Sequence, residues 1–241
     1  MFSLIKSIDI KNRETFLSKI FITLDIDWAH DEILAYSLEI FKKHKVPATF
    51  FVTHETPLLD QIRNEEIFEL GIHPNFNVCF DPNYQGRKSP RAIIEKLLEI
   101  VPEAKSVRSH SMLQSSPILD LFAEYGLTHE CNHFIPEQSG IELSPWVVWN
   151  GLCKVPYFWE DDVHCLYSQK SDMSNLLLRN GLKVFDFHPI HIFLNTEDLN
   201  LYESTRKIHH EPRSLWSQRN TNSGTERRLL EIISSFKLDN L

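Results

Sequence analysis

The sequence predicts a single-domain α/β protein with a (β/α) barrel, and three observations carry that prediction. Short apolar runs of strand length alternate with segments of helical periodicity, which is the pattern of a parallel sheet with crossover helices. Polar and titratable residues stand at the ends of successive apolar runs, where a barrel collects its functional groups. No linker, repeat or low-complexity tract divides the 241 residues, so one domain spans 1–241, with 196–241 as a helical C-terminal extension. An open doubly wound sheet has the same alternation; the polar strand ends favour the barrel.

Lys19 to Asp25 (KIFITLD) is rich in β-branched and aromatic residues and reads as a buried strand delivering Asp25 and Asp27. Glu32 to Lys43 follows as a helix, with Ile33, Leu34, Leu38 and Phe41 on one face and Lys42, Lys43 and Lys45 at the negative end of its dipole. Ala48 to Val52 (ATFFV) is uninterrupted in its hydrophobicity, as a strand covered on both faces should be. A helix is predicted over Leu58 to Leu70, then a short strand into Ile72 and His73, then a polar loop with Pro74, Pro82, Gly86 and Pro90. The alternation continues with a helix at Arg91 to Ile100, a strand at Lys105 to His110, a helix at Pro117 to Tyr125 closed by Gly126, and a strand at Leu127 to His133. Glu142 to Trp159 breaks the rhythm. Asp172 to Asn180 then reads as helix before Gly181, Leu182 to His188 as the last strand, and Glu226 to Phe236 as a terminal helix.

Composition narrows the function. Lys plus Arg number 25 against 33 Asp plus Glu, a net charge of −8, without the basic excess that neutralises a phosphate backbone, so nucleic acid is not the expected partner. No uncharged apolar run approaches the ~18 residues of a membrane helix, and no signal peptide is recognisable, so no membrane insertion and a cytoplasmic location are expected. The four cysteines form no C-x-x-C pair and read as reduced thiols. Twelve histidines point instead to a metal or hydrolytic site.

Asp25 and Asp27 sit at i and i+2, one face of a strand, where one carboxylate can ligate a cation and the other act as base; one of them could instead cap the helix near His30. His73 and Asn77, four residues apart, can reach one ion together, although Asn77 also suits a turn. Arg108 ends a strand, where its guanidinium can hold Asp25 ionised or form a surface ion pair. His54 and His110, also at strand ends, are reserve metal ligands or substrate contacts. Asp186 and His188 share a strand face, so the carboxylate can orient the imidazole as a general acid, with His191 as a substitute. Trp146, Trp149, Tyr157, Phe158 and Trp159, followed by Glu160, Asp161 and Asp162, can stack on a sugar ring and bond its hydroxyls, or serve the core and rim.

These motifs, in this order, resemble those of the NodB-type polysaccharide deacetylases. ITLDID (Ile22 to Asp27) resembles that family's T-F-D-D motif with the second aspartate displaced by one residue; VPATFFV (Val46 to Val52) resembles its next strand; ELGIHPNFN (Glu69 to Asn77) resembles its metal-binding motif with Asn77 in place of the second histidine. VRSH matches through Arg108, without the aromatic-glycine stretch that normally follows, and VFDFHP matches through His188. The likeness covers Ile20 to Pro189 and extends to deacetylase-like proteins of bacterial O-antigen gene clusters. It implies a distorted (β/α) barrel and a metal-dependent hydrolase that removes an N-acetyl group from a sugar. The metal is a divalent ion, zinc foremost, on Asp27, His73 and Asn77. Asp25, Arg108, Asp186 and His188 then act in catalysis, and His54, His110 and Trp159 contact a lipid- or nucleotide-linked saccharide. Two alternatives stand beside it: a metal-free hydrolase of another carbon-nitrogen bond such as a cyclic amide, suggested by Asn77, and an inactive carbohydrate-binding barrel.

Overall fold

The computed structural model describes residues 1–80, 89–167 and 170–235. Its strands are β1 (Phe2–Ser3), β2 (Ile20–Asp25), β3 (Ala48–Val52), β4 (Phe68–Ile72), β5 (Ser106–Val107), β6 (His129–Glu130), β7 (Trp146–Val147), β8 (Cys153–Lys154), β9 (Trp159–Glu160) and β10 (Lys183–Phe187). They form one sheet in the order β7-β8-β6-β5-β4-β3-β2-β10-β9, with β1 on β2. Every pairing is parallel except β7 with β8. β2, β3 and β4 are buried at every residue, which explains their unbroken apolar runs. Gly71 is where β4 passes closest to β5: a Cβ there would lie 2.7 Å from the Ser106 carbonyl oxygen.

The sheet curls into a half-barrel, and a single extended segment spans its open side. Residues 153–154 pair with β6, Tyr157 bridges Phe134, and residues 159–160 pair with β10. One strip of chain thus leaves β6 and joins β10, the strand next to β2.

The helices are α1 (Asp31–His44), α2 (Leu58–Arg63), α3 (Pro90–Ile100), α4 (Ser116–Glu124), α5 (Asp161–Leu166), α6 (Met173–Leu177), α7 (Pro189–Leu194), α8 (Leu199–Thr205), α9 (Pro212–Trp216) and α10 (Thr225–Ser235). α1 is capped by the His30 ring, which accepts from the Glu32 N–H, and ends at left-handed Lys45. One core runs through sheet and helices, and a smaller cluster of Ile33, Phe193, Leu194 and Leu215 ties the C-terminal extension to α1.

Some elements differ from expectation. The helix expected over Leu58 to Leu70 stops at Arg63, because Phe68–Ile72 is drawn into register with Ala48–Val52 by sheet pairing. The strands expected at Lys105 to His110 and Leu127 to His133 pair over only two residues each; at Arg108 the chain leaves the ladder to send a guanidinium inward. The helix expected at Asp172 to Asn180 keeps only Met173–Leu177. The expected terminal helix matches α10, and the 196–235 stretch carries α8 and α9 as well. Pro82, Gly86 and Phe236 lie outside the described residues.

Candidate active site

The site is built at the C-terminal ends of the parallel strands, where the chain leaves each strand and polar side chains can face one another. Asp25 is the last residue of β2. The strand does not run on to Asp27 as its i, i+2 spacing suggested. A tight turn follows, closed by the Ala29 N–H donating to the Ile26 carbonyl, with Asp27 at φ 37° and Trp28 at φ 54°. Left-handed backbone at a non-glycine residue costs about 1–3 kcal/mol, and here two such residues are adjacent. The turn still brings both carboxylates to one place: His73 Nε2 lies 3.6 Å from Asp25 Oδ2 and 3.2 Å from Asp27 Oδ1.

His73 is the first residue after β4, buried, with its N–H on the Val52 carbonyl. His110 follows β5 in a 3₁₀ turn whose first N–H is held by the Pro74 carbonyl, and its Nδ1 lies 3.3 Å from Asp27 Oδ1. Asp27 Oδ1 is itself buried and accepts no hydrogen bond among the described residues. Burial pushes the Asp27 carboxyl up, and the imidazoles of His110, His73 and His188 around it more than reverse this, holding it well below the ordinary range. Ligands at about 2.05 Å from a tetrahedral zinc stand about 3.3 Å apart. Asp27 Oδ1, an orphaned acceptor, has that spacing to both His73 Nε2 and His110 Nδ1, and ligand atoms of the three residues lie within 4.8 Å of one another, so this donor set fits a divalent metal.

Two buried networks flank the cluster. Arg108, 1% exposed, donates through one terminal nitrogen to Asp25 Oδ1 (3.0 Å), Thr23 Oγ1 (3.0 Å) and Asp186 Oδ1. Its guanidinium carbon lies over the rings of Phe51 and Tyr157, 4.7 and 4.4 Å from their centroids. Burial pushes Asp186 up while Arg108 pulls it down. On the other flank Asp161, opening α5, accepts from the backbone N–H of His188 (2.8 Å) and lies 2.7 Å from its Nδ1. Burial alone would lower the His188 pKa; the charge and hydrogen bond of Asp161 leave it raised well above the ordinary imidazole value. His188 Nε2 points at Asp27, 3.7 Å away. An arginine-bonded carboxylate and a readily protonated imidazole thus bracket one metal-competent cluster.

The sequence matches the family of WbmS-like polysaccharide deacetylases over residues 22–206. The chain belongs to that family. Among solved structures, a protein provisionally described as a polysaccharide deacetylase involved in O-antigen biosynthesis, from Bordetella bronchiseptica, is 40% identical and superposes at a TM-score of 0.93 over 97% of each chain. Another from Mycobacterium smegmatis, provisionally described as a polysaccharide deacetylase, is 17% identical at a TM-score of 0.46, covering 92% and 91% of the two chains. No curated protein matches the chain.

Within this WbmS-like deacetylase, Asp25, Asp27, His73, Arg108, His110, Asp186 and His188 gather at the strand ends, and three residues are placed differently from expectation. Asp186 bonds Arg108 and Thr23, and the carboxylate on His188 is Asp161, because the pairing of β9 with β10 carries the start of α5 beside His188. Asn77 is exposed, and its amide donates to Ser111 Oγ, whereas His110 is the side chain that stands beside Asp27 and His73. Trp159 is 2% exposed and packs against Phe185 and Phe187, with its indole N–H on His164 Nδ1, so it is core, not a sugar contact. His191 is buried against His188 with Nδ1 near Thr196 Oγ1. His54 lines a groove of about 1050 Å³ that runs from Trp28 and His73 out to α2 and α3. Asp161 was legible only as part of the acidic run Glu160 to Asp162, and Trp28 carried no sequence signal.

Proposed function

We propose that this chain removes the acetyl group from the nitrogen of an N-acetylated sugar during assembly of a cell-surface polysaccharide of the O-antigen kind. Membership of the family and the likeness to the Bordetella protein support the reaction and its setting. The observation that carries the mechanism is the convergence of Asp27, His73 and His110 donor atoms between an arginine-held carboxylate and an aspartate-held imidazole. Asp27, His73 and His110 would hold a divalent metal, zinc in our reading, which when bound supplies Lewis acidity to an amide carbonyl and lowers the pKa of water. Asp25, bonded by Arg108, takes the proton from the attacking water; His188, kept protonated by Asp161, returns a proton to the departing amine. Acetate and a free amino sugar leave.

The metal-free alternative rested on Asn77, and His110 offers the donor that Asn77 does not. A nucleotide- or lipid-linked precursor in the cytoplasm is the substrate form we favour; the buried thiols of Cys131, Cys153 and Cys165 suit a reducing compartment. No helix among the described residues is long and apolar enough to cross a membrane. The test pairs acetate release from N-acetylated sugars with metal content by mass spectrometry. Stoichiometric metal and acetate release in the wild type, both lost in His110→Ala and both kept in Asn77→Ala, are expected; a fully active His110→Ala enzyme would overturn the ligand assignment.

A further inference from the structure

The most constrained turn of the site carries a side chain that neither the acid-base pair nor the metal cluster uses. Trp28 follows the cluster carboxylate directly and occupies, at φ 54°, a turn position whose ordinary occupant is glycine or asparagine. Its indole is 41% exposed, so burial in the core does not account for its presence. It lines the groove beside His54 and His73, and its ring meets His110 edge to face at 5.2 Å. The loop that supplies His110 repeats the device. Ser111 and Met112 are both left-handed, the Leu113 N–H reaches back to the His110 carbonyl, and Met112 is 38% exposed. Two of the three loops that supply a donor to the cluster, those of Asp27 and His110, therefore carry a strained turn that presents an apolar side chain to solvent.

A pyranose ring suits such a surface. Its C–H face is apolar and its hydroxyls lie around the edge, so an indole can cover the face while the rim of the groove, with His54, Glu55 and Asp60, meets the hydroxyls. A phosphate does not suit it. The groove sets Glu55, Asp60 and Glu99 against Lys96 and Arg63, and Arg63 is already bound to Asp60 and Glu103, so acidic groups outnumber the basic ones. We propose that Trp28 is the platform on which the ring of the N-acylated sugar stacks, setting the acylamino group over the Asp27–His73–His110 cluster, so that recognition is of the sugar ring and not of a carrier phosphate. The proposal rests on the reading of the site as a sugar deacetylase and makes Trp28 a substrate-positioning residue.

The experiment uses the whole protein, loaded with metal, with free N-acetylglucosamine, N-acetylgalactosamine and N-acetylmannosamine as probes. Saturation-transfer NMR reads contact with the ring protons, and titration gives Kd for wild type, Trp28→Gly and Trp28→Phe. Glycine suits the left-handed turn, so Trp28→Gly keeps the fold and the metal stoichiometry while its Kd for the best-bound sugar rises at least about tenfold; Trp28→Phe stays within about threefold of wild type. Equal affinity in all three proteins overturns the platform, as does failure of every sugar to bind the wild type. Loss of metal in Trp28→Gly also overturns it, since the indole then acts through Asp27. Acetate release is measured apart: sugar held by Trp28 without acetate release defeats the deacetylase reading and leaves the platform standing, whereas release with no dependence of Kd or KM on Trp28 does the reverse.

Discussion

The two ends of the barrel each bury carboxylates, and they treat them in opposite ways. At the base, Glu69 accepts from Ser106 Oγ on one oxygen and from Thr49 Oγ1 and the Lys6 N–H on the other. Thr49 Oγ1 in turn accepts from the Ile5 N–H, so the N-terminal segment is fastened across the strand starts. Backbone there is relaxed and every oxygen is used. At the rim, Asp27 sits in left-handed backbone with a buried oxygen that accepts nothing. A saturated carboxylate gives stability and has no capacity left for a ligand; an unsaturated one costs stability and keeps that capacity. The same residue class has become a fastener at one end and a reactive group at the other.

The contrast can be broken at either end. Asp25→Asn removes the proposed base without emptying space, so acetate release should fall about 10²–10⁴-fold while the thermal midpoint moves by only a few degrees. A parallel fall in stability would show that the rim is structural after all.

His164 tests the boundary between rim and extension. Its Nδ1 accepts the Trp159 indole N–H, and burial, aided by the charges of Arg228 and Lys170, depresses its pKa to about 4. Its unfolded value is near 6.5, so the unfolded chain takes up the proton first as pH falls. The stability it contributes is complete above pH 6.5 and is lost between there and about 4, at most about 3 kcal/mol, because a proton on Nδ1 displaces the Trp159 bond. Urea melts at stepped pH should show that slope, and His164→Gln should flatten it.

At the base, Glu69→Ala leaves three donors without their acceptor and should cost about 2 kcal/mol in a urea melt, with activity per folded molecule unchanged. The smallest effect sharpens the rim itself. Asn77→Ala loses one exposed hydrogen bond to Ser111 and should change stability by less than about 0.5 kcal/mol.

What the sequence made legible follows the range of the interactions involved. β2 and β3 announce themselves because a doubly covered strand needs an unbroken apolar run, and Asp25, His73, Arg108 and His188 stand where such runs end. β4 was half hidden, since Leu59, Ile62 and Leu70 also fit a helical spacing and only pairing with β3 decides between them. The link between Asp161 and His188 spans 27 positions and exists only through the β9–β10 pairing, so a local pattern matched His188 to Asp186 instead. His110 lost to Asn77 in the same way: spacing within one segment was visible, whereas the approach of two loops was not.

The strip of chain from 153 to 160 divides the residues of the site into two sets. Asp25, Asp27, His73, Arg108 and His110 all precede it, and Asp161, Asp186 and His188 all follow. It lays Tyr157 on Arg108 as it leaves β6 and hands Asp161 to His188 as it reaches β10. The Asp27, His73 and His110 cluster therefore lies before the strip and the aspartate-held imidazole after it, so the two halves of the site are joined only where this one segment bridges β6 and β10.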